Sequence, residues 1–303
     1  MLINKPTLEA IFINMKTTFL NAFDAAPSQW ARIAMLVPSS VKQHDYAWLS
    51  TFPKMRKWIS EKVIKSLAAY KYSIINDDWE TTIEVDRNDI EDDNLGIYAP
   101  QAQMAGYSAK QLPDEIVSDL VNNGFTSLCY DGKAFFATNH PVAGASVSNK
   151  ASGGSSPLSI ATLAAAQASY GAGRVALRKM KDEEGRPLNI MPNILYVPPA
   201  LEDTARALLT VDRLEDGKAN PYKGTAELIV DARLTSDTAW FLMDTTKPIK
   251  PFIYQERKAP VFVEQTNPQA DDVFMRKKFK FGAEARGAGG YGFWQLVYGS
   301  VGA

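Results

Sequence analysis

PQAQMAGYSAKQLPDEIVSDLVNNG, Pro100–Gly124, is the stretch from which the rest of the chain is read. Pro100 suits a first helical position, where its missing N–H would be unpaired anyway. Gly124 suits the residue just past a helix end, where a left-handed conformation is expected. Between them Ala105, Ala109, Leu112, Ile116 and Leu120 recur at spacings of three and four, a single apolar stripe. The spacing predicts one helix of roughly 24 residues, about 36 Å long at ~1.5 Å per residue. Pro113 lies inside the pattern and predicts a kink or a break near Leu112. Without coiled-coil heptads around it, a helix of this length reads as a structural beam.

Upstream of the beam the charge pattern inverts. From Lys54 to Lys71 there are six basic residues (Lys54, Arg56, Lys57, Lys62, Lys65, Lys71) against one acid, Glu61. From Asp77 to Asp93, nine acids stand against Arg87 alone. Blocks of like charge are ordinarily solvated faces. The competing reading is a projecting basic hairpin over residues 44–76 that docks on an acidic surface of another copy. Charge complementarity of that kind fixes register and partner choice more than it adds affinity. Its candidate contacts are Lys54, Arg56, Lys57, Lys62 and Lys65 on one side and Asp77, Asp78, Glu80, Asp92 and Asp93 on the other. Thr81–Val85 reads as a strand within the acidic block. Nearer the N-terminus, Leu8, Ile11, Phe12, Met15, Phe19 and Phe23 share one face of a helix over 7–23. That helix packs on its own domain or reaches to a partner. Residues 31–37 read as a short buried strand ended by Pro38.

Downstream, two short apolar runs flank Asp131-Gly132, a pair that predicts a two-residue hairpin with positive φ at both central positions. The small-residue stretch 143–157 reads as a loop or domain boundary. A helix begins near Ser159, and strand Asn193–Val197 gives way through Pro198-Pro199 to a helix, a unit of a mixed α+β layer. Strands are predicted at Ala226–Val230, Ala239–Met243 and Ile249–Tyr254. Residues 273–286 alternate most clearly. Met275, Phe279 and Phe281 lie on one face, and Arg276, Lys278, Lys280, Glu284 and Arg286 on the other, a strand of about 45 Å at ~3.3 Å per residue. A last strand closes the chain, and no internal repeat is found.

Composition bounds the function. The 303 residues carry a formal net charge of −1 with 46% hydrophobic residues, a globular composition with no general pull toward nucleic acid or membrane. One cysteine, Cys129, excludes an intrachain disulfide. No apolar run reaches the ~20 residues of a membrane helix, and no signal-peptide pattern opens the chain, so synthesis in the cytoplasm is expected. Only His44 and His140 are present, and no motif calls for a metal or cofactor. Gly287, Gly289 and Gly292 spell G-x-G-x-x-G. A strand follows where the dinucleotide fingerprint needs a helix, so these glycines are read as a turn. Cys129, Asp131 and His140 lie close in sequence and could make a thiolate–imidazole nucleophile. A lone mid-strand cysteine is more simply a small buried hydrophobe, and catalysis is not expected. The basic face of 276–286 has its aromatics on the opposite face, which argues for core rather than for stacking on single-stranded nucleic acid.

The order of features resembles the major capsid proteins of tailed phages with the Hong Kong 97-type fold, and most closely the Mu-like phage major head subunits. YDGKAFFATNHP (130–141), NILYVPPALEDTARALL (193–209), NPYKGTAELIVDARL (220–234), AWFLMD (239–244) and FKFGAEARGAGGYGFWQLVYG (279–299) carry the resemblance, which covers nearly the whole chain. It implies an α+β fold with an N-terminal arm (1–43) and an extended loop (44–76). A peripheral domain (77–158 and 250–290) would hold the spine helix at about 100–123, and an axial domain would take 159–249 and 291–303. The implied function is self-assembly, as pentamers and hexamers, into an icosahedral head around double-stranded DNA contacted non-specifically. A portal, a separate scaffold, a separate maturation protease and a decoration protein are the implied partners. Separate scaffold and protease are expected because only a short arm precedes the loop. Self-catalysed crosslinking, known for the fold's namesake, has no locating motif here. An encapsulin-like shell around an enzyme cargo is the alternative within the fold. A cytoplasmic thiol enzyme using Cys129 and His140 is the alternative outside it.

Overall fold

Asn4 starts the first helix, its side-chain oxygen accepting the Thr7 N–H at 3.0 Å and so satisfying one of the unpaired donors of the first turn. In the computed structural model, residues 4–50, 72–92, 95–151, 156–158, 163–214, 217–267 and 271–302 are described. Helix α1 (Lys5–Ala25) is followed by a single turn, α2 (Trp30–Ile33), and strand β1 (Ala34–Pro38). β2 (Gln43–Asp45) and β3 (Ser73–Ile75) pair antiparallel. β4 (Asp77–Asp86) leads through α3 (Arg87–Glu91) into the long helix α4 (Ala99–Asn123). β5 (His140–Val142) and β6 (Ala145–Val147) form a hairpin. Then come α5 (Leu163–Arg178), β7 (Ile194–Val197), α6 (Glu202–Thr210), β8 (Glu227–Val230) and β9 (Trp240–Met243). The chain ends with β10 (Phe252–Gln265), α7 (Asp271–Arg276), β11 (Lys278–Tyr291) and β12 (Val297–Ser300).

Two four-stranded sheets result. The first has the order β1-β10-β11-β4, antiparallel except where β1 runs parallel to β10. The second has the order β12-β9-β7-β8, with β7 and β8 parallel and joined through α6. β7 and β9 are buried at every position, as an apolar run at the centre of a covered sheet requires.

The long helix joins two cores. Ala102 and Ala105, in its first half, sit in a smaller core with Leu8, Ile11, Met15 and Phe19 of α1 and with Phe262, Phe279 and Phe281 of the first sheet. Leu112, Ile116, Val117 and Val121, in its second half, belong to the larger core that spans both sheets. The α1 face predicted from sequence therefore packs on α4 of the same chain.

Three local expectations are corrected. The helix continues through Pro113, so of the kink or break expected there the break does not occur. The turns on either side are held by tertiary contacts, which outweigh the one lost backbone bond. Gly124 is right-handed, with φ −63° and ψ −19°. It is needed for space, because a Cβ there would lie 2.6 Å from the Phe136 ring. Asp131-Gly132 is not a two-residue turn, since positive φ is found at Gly132 (74°) but not at Asp131. The Gly132 N–H donates to Cys129 O at 3.0 Å and the Cys129 N–H to Lys133 O at 2.8 Å, the geometry of a three-residue loop closed by a left-handed glycine. The turn with two positive φ values falls at Ala143 (49°) and Gly144 (79°), where β5 and β6 meet in a stretch read from sequence as a loop.

Two further corrections concern residues 273–292. Strand β11 begins at Lys278, and the residues before it form α7. Lys277, at φ 56°, ends that turn of helix, which leaves Met275 76% exposed instead of facing the core with Phe279 and Phe281. Gly287 and Gly289 lie inside β11 rather than in a turn. A Cβ on Gly289 would meet Ile116 and Leu120 of α4 at 2.7 and 2.8 Å. The glycines let the long helix lie directly on the strand.

Candidate assembly surface

Polar residues buried beside β2 and β3 fasten these two strands to the first sheet. The Tyr46 hydroxyl donates to Gln255 Oε1 at 2.7 Å, and Gln255 Nε2 donates to Asn76 Oδ1 at 2.7 Å. Asn76 Nδ2 in turn donates to Val41 O at 2.8 Å and Ser39 Oγ at 3.1 Å. The Tyr72 hydroxyl accepts the Tyr291 N–H at 2.7 Å. Burial pushes the Tyr46 phenol up to about 12, so it stays a neutral donor. Tyr46, Asn76 and Gln255 are all buried, and buried polar groups matched in this way are rigid. Lys54, Arg56, Lys57, Lys62 and Lys65, together with Asp93, lie outside the described residues.

The acids Asp77, Asp78 and Glu80 lie on β4, which forms one edge of the first sheet among the described residues. β4 pairs with β11 so that Asp78 faces Arg286, Glu80 faces Glu284, Glu84 faces Lys280 and Asp86 faces Lys278. The basic face of β11 thus meets the acidic strand of the same chain. Arg286 Nε contacts Asp78 Oδ1, and Lys278 Nζ lies 2.9 Å from Glu84 Oε2. Lys278 beside it holds the exposed Glu84 carboxyl below the usual carboxylate range. Glu80 and Glu284 are the exception, two carboxylates directly opposite each other, an arrangement that is unfavourable by itself. Glu284 takes Lys258 Nζ at 3.0 Å, whereas among the described residues Glu80 accepts only the Thr82 hydroxyl, at 2.7 Å. Beside them Glu115 of α4 completes an acidic groove with Trp79, Ser108 and Pro260 in its walls. Asp92 is exposed at the end of α3, away from β4 in sequence. Of the acids named from sequence, Asp78 therefore has a cationic partner within its own chain, and Asp77, Glu80 and Asp92 are exposed.

The structure does bring Cys129, Asp131 and His140 together. Cys129 Sγ lies 3.1 Å from Asp131 Oδ1, and His140 Nδ1 lies 2.6 Å from Asp131 Oδ2. The order is wrong for a nucleophile, because the thiol faces the carboxylate and not the imidazole. Burial, together with the nearby Asp131 charge, pushes the Cys129 thiol up, away from the thiolate that attack or metal binding needs. His140 is fully buried and lies flat on Trp294, with 3.9 Å between ring centroids. The cluster is part of the packing.

The comparisons with known proteins agree with this architecture. The profile of the Mu-like prophage major head subunit gpT matches residues 8–162, 158–234 and 231–303. The chain belongs to that family. It is similar to the major capsid protein of Escherichia phage Mu, with 32% identity over 98% of this chain and 74% of the relative. Among solved structures it is similar to a chain of the procapsid of bacteriophage JBD30, at a TM-score of 0.60 and 30% identity, covering 98% of this chain and 76% of that one. A chain of the JBD30 capsid decorated with minor capsid protein trimers is also similar, at a TM-score of 0.58 and 29% identity over 72% of this chain and 93% of that one. The α+β fold is that of phage capsid proteins.

One set of residues in this head subunit has no counterpart in the sequence reading. Gln111, Asp114, Ser118 and Asn122 line one side of α4 and bind two loops. Asp114 accepts the Ser28 hydroxyl at 2.6 Å and the Gln29 and Trp30 N–H groups at 2.8 and 2.9 Å. The Ser118 hydroxyl lies 2.8 Å from both Asp231 Oδ2 and Asp114 O, two acceptors that share its one hydrogen. Asn122 Nδ2 donates to Arg233 O at 2.9 Å, and its Oδ1 accepts the Thr235 N–H at 3.1 Å. The 3-4-4 spacing of these polar residues was the available signal. It went unread because polar residues on a helix are ordinarily assigned to solvent.

Proposed function

We propose that this chain is the repeating subunit of a Mu-like phage head, assembling as pentamers and hexamers into the icosahedral shell of the virion. Its match to the Mu major capsid protein along nearly the whole chain carries the reading. The geometry supports it, since the buried networks anchor architecture and the Cys129 thiol faces the Asp131 carboxylate instead of the His140 ring. The α4 region with residues 77–158 and 250–290 acts as the peripheral domain, and residues 159–249 with 291–303 as the axial domain. Residues 1–43 form the arm and 44–76 the extended loop. Scaffold, maturation protease, portal and packaged double-stranded DNA are its partners in assembly, and a minor capsid protein is the class of decoration. The chain works by association and not by catalysis.

The contact between copies follows from charge. Within one chain the β11 cations answer Asp78 and Glu84, which leaves Glu80 opposite Glu284 without a cation among the described residues. Lys54, Arg56 and Lys57 of a neighbour's extended loop supply it. Identical contacts of this kind, repeated head to tail, close into rings when the rotation permits.

Negative-stain microscopy of the expressed protein tests the reading. Closed particles, rings or tubes are expected, and a protein that stays monomeric at all concentrations, with or without a co-expressed scaffold, would overturn it. An encapsulin-like shell would instead yield particles filled with a protein cargo. Cys129→Ala is expected to assemble as the parent does, whereas a thiol enzyme would lose its activity.

A further inference from the structure

We infer that His140 carries a proton on each ring nitrogen, making with Asp131 a buried, charged clasp that fastens the strand hairpin to the crossover between the two sheets. The argument is one of proton counting. Asn149 Nδ2 donates to Phe135 O at 2.8 Å and to Trp294 O at 3.2 Å, and Asn149 Oδ1 accepts the Ala137 N–H at 3.0 Å. These three backbone groups cannot exchange roles, so they fix which way the Asn149 amide points. Asn149 Oδ1 then faces His140 Nε2 at 3.2 Å. An oxygen without a hydrogen requires that Nε2 supply one.

The other nitrogen is constrained just as tightly. Nδ1 stands 2.6 Å from Asp131 Oδ2, too close for two lone pairs, so a proton lies between them. Asp131 Oδ1 already accepts the Lys133 N–H at 3.0 Å and the Cys129 thiol at 3.1 Å, donors that favour an ionised carboxylate. The proton between Nδ1 and Oδ2 therefore belongs to the ring, and the pair is imidazolium and carboxylate. Trp294 presents its face to that cation at 3.9 Å with an interplanar angle of 9°, a favourable placement for a cation on an aromatic ring. Cys129, whose Sγ lies 3.1 Å from Asp131 Oδ1, is held as a thiol by burial, and the Tyr130 hydroxyl donates to Gln295 Oε1 at 3.0 Å.

The place of the clasp gives its purpose. β11 of the first sheet ends at Tyr291 and β12 of the second begins at Val297, and Trp294 lies in the short turn between them. The Gly299 N–H donates to Asn149 O, and the Ala151 N–H to Gly299 O, each at 3.0 Å. His140 and Asn149 thus tie the hairpin of β5 and β6 to the turn by which β11 of the first sheet passes to β12 of the second. One ligand atom from each of Cys129, Asp131 and His140 lies within 4.8 Å of the other two, but the thiol, both carboxylate oxygens and both ring nitrogens are already hydrogen-bonded, so the arrangement offers no open ligand set.

The chain has only two histidines, which makes the test direct. Full-length protein labelled with ¹⁵N-histidine is observed by NMR at pH 7.5, as assembled particles or free subunits, with His44→Gln used for assignment. Both nitrogens of His140 are expected to show attached protons, and an unprotonated ring nitrogen would overturn the inference. A stoichiometric bound metal, measured on the same sample, would also overturn it. His140→Phe keeps a ring against Trp294 but removes both protons. Hydrogen exchange at residues 140–151 and 293–299 is expected to quicken at least tenfold in this variant, and unchanged exchange would refute the clasp. Should the variant fail to fold, the wild-type spectrum decides alone.

Discussion

Gly106 of α4 meets Phe19 of α1 backbone to backbone: a Cβ on Gly106 would lie 2.3 Å from the Phe19 carbonyl oxygen and 3.1 Å from the Phe23 nitrogen. The first helix rests on the long helix at a point where no side chain intervenes. At an open helical site, glycine to alanine is a gain of up to ~1 kcal/mol. Here the sign reverses. Gly106→Ala is expected to lose about 1–3 kcal/mol, read as a lower urea midpoint, with faster hydrogen exchange confined to α1. A midpoint equal to or above wild type would show that the two backbones do not touch.

Asp114→Ala removes the acceptor for two backbone N–H groups and the Ser28 hydroxyl at a site 3% exposed. A fully buried donor left unsatisfied costs about 1–3 kcal/mol. Ser28 is exposed and Gln29 and Trp30 are half-buried, so water offsets part of each loss. A total of about 1–3 kcal/mol is expected from denaturant unfolding. Asp114→Asn, which keeps one acceptor oxygen, should recover part of it. Equal losses for the two variants would contradict the assignment.

The acid limit of stability follows from Asp131, Asp182 and Asp231. Burial raises all three, but hydrogen bonds outweigh it: from His140 to Asp131, from Arg186 to Asp182, and from Tyr196, Ser118 and the Arg233 backbone to Asp231. Each carboxyl therefore lies below its usual value in the folded chain. A depressed carboxylate contributes stability that is present above the unfolded value and lost as pH falls through the folded one. The melting temperature of the unassembled subunit should hold steady down to about pH 5 and fall below about pH 4, where unfolded aspartates begin to bind protons. Asp231→Asn should flatten part of that slope.

Reversing Lys54, Arg56 and Lys57 to glutamate is expected to abolish shells while the subunit keeps its circular dichroism and melting behaviour. Glu80→Lys, which supplies the missing cation within the chain, should weaken assembly in the same assay. Normal particles from the triple variant would remove the charge-docking contact from the account.

The long helix, the inward face of α1 and the apolar faces of the strands were legible because their signals are periodic and local. Pro100, the Leu112–Ile116–Leu120 spacing and Phe279 with Phe281 each state their surroundings in a few neighbouring residues. What stayed hidden depends on residues far apart in the chain. Gly124 read as a left-handed helix end and Gly289 as part of a turn, yet they are glycines because Phe136 and the side chains of Ile116 and Leu120 press against them. Gln255 and Asn76, 179 positions apart, acquire meaning only once β10 lies beside the loop root. The charge inversion was visible at once. Its answer within the same chain, Arg286 to Asp78 and Lys278 to Glu84, required knowing that β11 and β4 are neighbours.

β4 leaves one long side of the first sheet open among the described residues, and it carries Asp77, Asp78, Glu80, Glu84 and Asp86 along ten residues. An open strand edge is a template on which any extended chain can grow. A subunit made in many copies inside one cell meets mostly itself, so unguarded edges would zip newly made chains into fibrils. The acids on that rim disfavour pairing with the identical rim of a second copy, since like charges placed opposite each other are unfavourable.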